Sequence, residues 1–322
     1  MSDVTYIEAV VQAVCEEMRN DTRVFVMGED LHSTLYAKAL QEFGRERIFN
    51  TPISEAGFIG AGIGAALTGM RPVVEAAYSP FLYSAMDQIV SQAAKSRYMF
   101  GGQTSVPIVI QAFVVYAAAA AAHHSDRPWG LFAQVPGLKI VVPSTPYDAK
   151  GLVTSAIRDG NPVLCFHDMG LLGQRADVPD SNYTVPIGLA AVRRHGSDLT
   201  IVSLAACVSN SLDAAAILER QRISAEVVDL RSVTPLDRGT ILESVRRTGR
   251  LLVVDPAPRT CGIASEVIAT VSESAFDSLK APVIRLTAPD TPVPFSPELE
   301  QLMYPTVAVI VAAARKLCAA RS

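Results

Sequence analysis

The feature that most constrains the fold is an alternation. Short unbroken apolar runs, "RVFVMGED", "RIFNTPIS", "RPVVEAAY", "VPIVIQA", "LKIVVPS" and "PVLCFH", recur through the first half of the chain with helical stretches between them. A strand covered on both faces carries a continuous apolar run, whereas a half-solvated strand alternates apolar and polar residues. The intervening stretches are residues 5–19, with Thr5 or Asp3 as N-cap, residues 35–43 ending at Gly44, a glycine-rich run after Ser54, "SAMDQIVSQAAKSRYM" and "PYDAKGLVTSAIRD". Strands and helices in this order predict an α/β fold, a parallel sheet with helices on both faces.

The rhythm breaks at "GQRADVPDSNYTVPIG", residues 173–188, which is polar, holds Pro179 and Pro186 and has no period. Beyond it "LTIVSLA", "ISAEVVDLR", "RLLVVDP" and "PVIRLTAP" predict four more strands, with helices near 208–221, 237–248 and 262–279. The expected organisation is an α/β domain over 1–178, a linker over 179–188 and a smaller α/β domain over 189–322. A length of 322 residues suffices for two buried cores.

Several partner classes are disfavoured. The net charge is −4 and no basic block or acidic tail stands out, so nucleic acid is not an expected partner. The apolar run "IVIQAFVVYAAAAAA", residues 108–122, is shorter than the roughly 20 residues a helix needs to span a bilayer. Gln111 interrupts it and Pro107 precedes it, so a buried strand followed by an alanine-rich turn or helix is expected, and no membrane. Cys15, Cys165, Cys207, Cys261 and Cys318 form no CxxC pair. With an N-terminus lacking a signal or transit pattern, they read as reduced thiols of a cytoplasmic protein.

The run "NTPISEAGFIGAGIGAALTG" sets Glu55 at the mouth of an apolar, glycine-rich segment. Gly60, Gly62 and Ala65 fit G-x-G-x-x-A, a dinucleotide-binding pattern. That pattern works in the turn straight after a strand. Here residues 51–55 intervene, so the glycines are expected inside a helix, where small residues permit close packing. Glu55 has two readings at this level. It is the N-terminal carboxylate of that helix, capped by Ser54, or it is a chemical group, poorly solvated at the edge of apolar packing, its pKa raised so that it exchanges a proton near neutral pH.

Four segments turn pattern into resemblance: "RIFNTPISEAGFIGAGIGAALTGMRPVVE", "DQIVSQAAKSRYMFGGQTSVPIVI", "VPGLKIVVPSTPYDAKGLVTSAIRDGNPV" and "EVVDLRSVTPLD". In order and spacing, over nearly the whole chain, they resemble the β subunit of the heterotetrameric 2-oxo acid dehydrogenase E1 component, of the pyruvate, branched-chain and acetoin type. "APDTPVPFSPELEQLMYP" fits as well. The resemblance implies a transketolase-like pyrimidine-binding domain followed by a transketolase C-terminal domain. It implies thiamine diphosphate, bound between an α and a β subunit, as cofactor. Glu55, in the family's "ISE", would hydrogen-bond ring atom N1′ and promote the imino form, whose nitrogen takes the thiazolium C2 proton. Ile53 and Glu29, the latter in "GED", would border the cofactor, and Phe81 would pack on its aminopyrimidine ring. His124 would aid acyl transfer to a lipoyl arm. The carbonyls of Ile108, Ala156, Ile157 and Asn161, with Asp159, would hold a structural K⁺. Neighbouring Ser125 and Asp126 make no triad with His124, and His123 with His124 makes a poor metal pair, since adjacent side chains diverge.

The sequence contains no GDG, so Mg²⁺ and the diphosphate would be held by an α-type subunit, in an α₂β₂ assembly that could dock a lipoyl acyltransferase. Three departures stand out. "QAFVVYAAAAAAHHS" replaces a loop of the form "RxPxGxGxxxxxQHS", with Gln111 for the arginine. The segment after "GED" is short and lacks a Gly-Gly, and "CFHDMGLL" stands where "EHKxLY" is usual. Together they suggest a shifted substrate or acceptor, while the resemblance itself implies decarboxylation of a 2-oxo acid with acyl transfer to a lipoyl domain. The departures suit a split transketolase or carboligase handing its unit to a small acceptor, and a subunit that has lost turnover is the third reading.

Overall fold

The computed structural model describes residues 1–115 and 118–319. Tyr116 and Ala117, inside the departing loop, lie outside the described residues. The chain divides into two compact units: Met1–Tyr116 with His123–Ser125 and Phe132–Ile187, and Ala117–Ala122 with Asp126–Leu131 and Gly188–Ser322.

In the first unit, Thr5 rather than Asp3 starts the first helix. Its hydroxyl accepts the Glu8 N–H while the Glu8 carboxylate accepts the Thr5 N–H at 2.8 Å, a closed capping box. The helix, Tyr6–Asn20, lies along Pro146–Arg158, tied by Arg158 to Glu17 at 2.7 and 2.8 Å. Six strands of this unit stand in the order Lys139–Val141, Val163–Asp168, Val109–Val114, Arg71–Tyr78, Val24–Gly28, Ile48–Asn50, every pairing parallel. The apolar runs became strands because they are covered on both faces; Val26, Val73, Val74, Ile108 and Leu164 are wholly buried.

Three expectations are corrected here. Within the polar break, Arg175–Val178 is a strand, paired antiparallel with Ser2–Thr5. This ribbon is largely solvated and charged, so it carries no apolar run to announce it. The helix expected over residues 35–43 shrinks to Leu40–Phe43 behind a series of turns. The long helix expected at "SAMDQIVSQAAKSRYM" is instead a 3₁₀ segment Ser79–Ala85, a π turn Gln88–Ala93 and a short helix Ser96–Met99. Of the described residues in the alanine run, 118–121 are not helical, and the short 3₁₀ turn Ala122–His124 follows.

The glycines after Glu55 do lie inside a helix, Glu55–Leu67. A β-carbon at Gly62 would stand 2.8 Å from Val74 Cγ2 and 3.2 Å from Ile108 Cδ1, so this glycine lets the helix close onto the sheet. Gly28 has the same role between strands. It pairs with Glu75, and a β-carbon there would meet the Glu75 carbonyl oxygen at 2.4 Å.

Five strands of the second unit form one sheet, in the order Ile284–Ala288, Leu251–Pro258, Leu199–Ser203, Ala225–Asp229, Ala191–Arg194. The last, not foreseen, is antiparallel. One further run, Pro297–Ala319, is apolar and long enough to cross a membrane by composition. It is broken between Met303 and Val307, and Ile310, Ala314 and Leu317 are buried with Leu199, Ile201, Leu252 and Val254.

Candidate active site

In an open parallel sheet, ligands collect beyond the carboxyl ends of the strands. Three such ends converge in the first unit. The strand Arg71–Tyr78 finishes in a bulge, with Ala77 at φ +52 and a register shift between Glu75 and Tyr78. The bulge re-aims Tyr78, and the 3₁₀ segment carrying Phe81 follows at once. Phe81 meets Tyr78 edge-on at 5.6 Å, and His124 meets Tyr78 at 4.8 Å and Phe81 at 5.4 Å. Phe81 and His124 thus share one aromatic cluster, joined by Tyr78, which sequence reasoning missed.

Glu55 is the first residue of its helix and half-buried. Ser54 occupies the N-cap position, but its side chain makes no capping bond, so the capped-helix reading lacks its hydrogen bond. The partner of Glu55 is Ser84, whose Oγ lies 3.2 Å from Glu55 Oε2 and 2.9 Å from the Phe81 carbonyl oxygen. A single hydroxyl proton serves one acceptor at a time, so Ser84 links the Glu55 carboxylate to the turn that carries Phe81. Ser84 too was missed; nothing in its local sequence marks it.

Glu29 follows Gly28 directly. Its Oε1 is buried and has no hydrogen-bond partner among the described residues. Burial first, then the charges of Glu55 and Asp30, push its carboxyl above the usual carboxylate range. An orphaned acceptor beside a second carboxylate and an aromatic face suits a flat heterocycle that presents N–H groups, so these residues fit an aminopyrimidine. Ile53, by contrast, is 82% exposed in this chain.

The turn expected to hold a cation is also assembled. Ala156 and Ile157 end the helix Pro146–Arg158, and Asp159 is its C-cap. Asp159 Oδ1 accepts the Asn161 N–H at 2.9 Å and its side-chain amide at 2.8 Å. Two fixed cations already stand there. Arg71 donates to the carbonyls of Ile157 and Asp159 at 2.6 and 3.1 Å, and Lys139 pairs with the Asp159 carboxylate. Burial alone would raise the Asp159 carboxyl, but Lys139 and Asn161 outweigh it and hold it below its ordinary value. The Ile108 carbonyl accepts the Val163 N–H at 3.0 Å and keeps a second lone pair. No cluster of His, Cys, Asp and Glu fit for a metal occurs among the described residues.

Beneath the site lies a buried polar set that the sequence did not reveal as a unit. Gln111 Nε2 donates to Glu75 Oε2 at 3.3 Å and to the Tyr36 hydroxyl at 3.2 Å, while Gln111 Oε1 stands 2.8 Å from His167 Nε2. His167 Nδ1 lies 3.0 Å from the Tyr6 hydroxyl. Burial raises Glu75 to about 8 and lowers His167 to about 3.

Comparison with known proteins agrees with this geometry. Residues 2–189 match the family described as "Transketolase, pyrimidine binding domain", and residues 188–310 match "Transketolase, C-terminal domain". The chain is 42% identical to the acetoin:2,6-dichlorophenolindophenol oxidoreductase subunit beta of Bacillus subtilis (strain 168), over 98% of this chain and 97% of that protein. It is 44% identical to the pyruvate dehydrogenase E1 component subunit beta of the same organism, over 98% of this chain and 99% of that one. A solved structure titled "Split gene transketolase, inactive beta4 tetramer" superposes over 100% of both chains with a TM-score of 0.83 at 24% identity, which speaks for the fold alone.

Proposed function

The chain belongs to the family of β subunits of thiamine-diphosphate-dependent 2-oxo acid dehydrogenase E1 components, and on that premise we propose that Glu55 is the residue through which it activates the cofactor. The family's enzymes work with an α-type subunit. When bound, thiamine diphosphate supplies the electron sink that lets a 2-oxo acid lose carbon dioxide. The contribution of this chain is protonic and steric. Glu55 shares a proton with ring atom N1′, held in place by Ser84. Glu29 offers its unpartnered oxygen to the same ring, and Phe81 presents an aromatic face to it. Ile53 is covered when the partner subunit and cofactor are present. His124, fixed edge-on against Tyr78 and Phe81, moves a proton as the acyl group passes to its acceptor.

The observation that carries this reading is the convergence of Glu55, Ser84, Phe81 and His124 at adjoining strand ends. We further propose that the α-type subunit holds Mg²⁺ and the diphosphate, since this sequence has no GDG, and that the assembly is α₂β₂ and delivers its acyl group to a lipoyl acyltransferase. The carbonyls of Ile108, Ala156, Ile157 and Asn161, with Asp159, are proposed to take K⁺ through the lone pairs left over from their internal bonds. The altered wall at 111–122 sustains a second reading, transfer to a small-molecule acceptor as in a split transketolase or carboligase.

The test is co-expression with an α-type subunit, followed by cofactor binding and hydrogen–deuterium exchange at thiazolium C2. Exchange in the wild-type complex should collapse in Glu55→Ala. Equal background exchange in both would overturn the assignment.

A further inference from the structure

The buried set beneath the site carries an inference about two of the sequence's departures. Gln111 sits on the strand Val109–Val114, flanked by Arg71–Tyr78 on one side and Val163–Asp168 on the other. Its amide faces both neighbours. A carboxyl at Glu75 and a hydroxyl at Tyr36 call for a donor, which assigns Nε2 to them and leaves Oε1 to accept from His167 Nε2–H. His167 Nδ1 then accepts from the Tyr6 hydroxyl. In this order the imidazole is held neutral in a single tautomer, and the Tyr6 hydroxyl also stands 3.4 Å from the Pro143 carbonyl oxygen. Tyr6, Tyr36, Gln111 and His167 are wholly buried, and Glu75 is 5% exposed.

The resembling family's loop pattern begins with arginine where this chain has Gln111. Setting "HDMGLL" on "EHKxLY" places His167 where the pattern has glutamate. These positions are far apart in sequence, yet here their side chains touch at 2.8 Å. An arginine beside a glutamate is a hydrogen-bonded pair, and so is a glutamine beside a neutral histidine. A mixed pair is not equivalent. Arginine facing His167 forces the imidazole out of this tautomer, and glutamate facing Gln111 buries a second carboxylate near Glu75 without a cation.

We infer that Gln111 and His167 are one coupled substitution, a neutral pair in place of a charged one, and that Gln111 is a positioning residue for the aromatic cluster above it. The path to that cluster is short. The ring of Phe113 lies 5.8 Å from His167, and Phe113 pairs in register with Tyr78. Tyr78 is the ring on which His124 rests at 4.8 Å. Bearing on the reaction rests on the proposed function; the pairing and the positioning do not, and both are read on the isolated full-length chain.

The experiment is a cycle of Gln111→Arg, His167→Glu and the double variant, with Gln111→Met alongside. Thermal unfolding and the imidazole NMR signals of His124, shifted by the rings of Tyr78 and Phe81, are recorded for each. Each single charged variant should lower Tm by about 5 °C or more, and the double variant should recover most of that loss. Gln111→Met should move the His124 signals, and the double variant should return them towards wild type. If the Tm losses simply add, the two positions are independent and the pairing is wrong. If the pairing holds but Gln111→Met leaves the His124 signals in place, Gln111 positions nothing above it. Should Gln111→Met fail to fold, the His124 signals of the double variant against each single decide the same point, with unchanged signals throughout overturning it.

Discussion

Ser84 Oγ stands 3.2 Å from Glu55 Oε2, and this is the hydrogen bond the structure gives the carboxylate at the head of the glycine-rich helix. The bond restricts which oxygen of Glu55 is free to meet a ring nitrogen. In the complex with an α-type subunit, Ser84→Ala should therefore lower turnover about three- to tenfold, the worth of one ordinary hydrogen bond. Glu55→Gln, which keeps the shape but cannot exchange the proton, should lose on the order of 10²–10⁴-fold. Single-turnover decarboxylation separates the two. A Ser84→Ala loss as large as that of Glu55→Gln would mean that Ser84 acts on the reacting atoms itself.

Gly28→Ala tests the close approach that sets Glu29. The added β-carbon would lie 2.4 Å from the carbonyl oxygen of Glu75, a backbone atom in a parallel ladder that has nowhere to move. Overpacking of this kind costs about 1–3 kcal/mol. The midpoint of denaturant unfolding should fall without a change in slope. An unchanged midpoint would mean that the two strands can part at this point.

These two cases show what the sequence could and could not announce. The helix that begins at Glu55 and holds Gly62, and the six parallel strands of the first unit, were legible because apolar runs and small residues report directly on burial. The ribbon Ser2–Thr5 with Arg175–Val178 was not, because a solvated pairing leaves no apolar signature. The π turn Gln88–Ala93 was not, because a helical period of 3.6 cannot show an extra residue in one turn. In the sequence Gln111 shows as an interruption of an apolar run and as a replacement for an arginine, not as part of a network. Its meaning depends on Glu75, Tyr36 and His167, which parallel register brings together from distant segments. Phe81 and His124 came from resemblance, and their shared contact with Tyr78 from the structure.

Stability should depend on pH in a way that variants at Glu75 and His167 can dissect. Glu75 is raised by burial from 4.5 to about 8. Its contribution is fully present below about pH 4.5 and is lost as pH rises through 8, because the unfolded chain ionises first. His167 is lowered by burial from 6.5 to about 3. Its contribution is present above about pH 6.5 and is lost as pH falls through 3. Relative to wild type, Glu75→Gln should remove the decline between pH 5 and 8, a difference on the order of a few kcal/mol, because folded and unfolded chains hold that proton with different strength. Unfolding free energies from pH 5 to 9 provide the check; parallel curves for wild type and Glu75→Gln would mean that Glu75 ionises at its ordinary pKa in the folded chain.

The proposed K⁺ turn makes a prediction about ion identity. Arg71 and Lys139 already neutralise part of it, so any K⁺ site is held by leftover carbonyl lone pairs and selects by size. Tm should rise with K⁺ but not with Li⁺ at equal ionic strength, by the increment expected of a bound ligand, about 2.7 kcal/mol at a hundred times its dissociation constant. Identical melting in both salts would mean that Arg71 and Lys139 satisfy the turn unaided.

His124 separates the two halves of the reaction. Its ring is wedged edge-on against Tyr78 and Phe81, a geometry that fixes its position. An imidazole is the side chain suited to giving and taking a proton in the neutral range. If its task is acyl transfer, loss of carbon dioxide should not need it. His124→Ala should then keep decarboxylation coupled to an artificial electron acceptor within about threefold of wild type. Transfer to a lipoyl domain should fall on the order of 10²-fold or more, the usual worth of a positioned acid–base group. His124→Gln separates shape from proton transfer, because it refills part of the space but cannot titrate. Recovery of transfer by glutamine would assign His124 a steric role. Equal losses in both halves for both variants would place its action before the acyl group forms, and the division of labour between Glu55 and His124 would have to be redrawn.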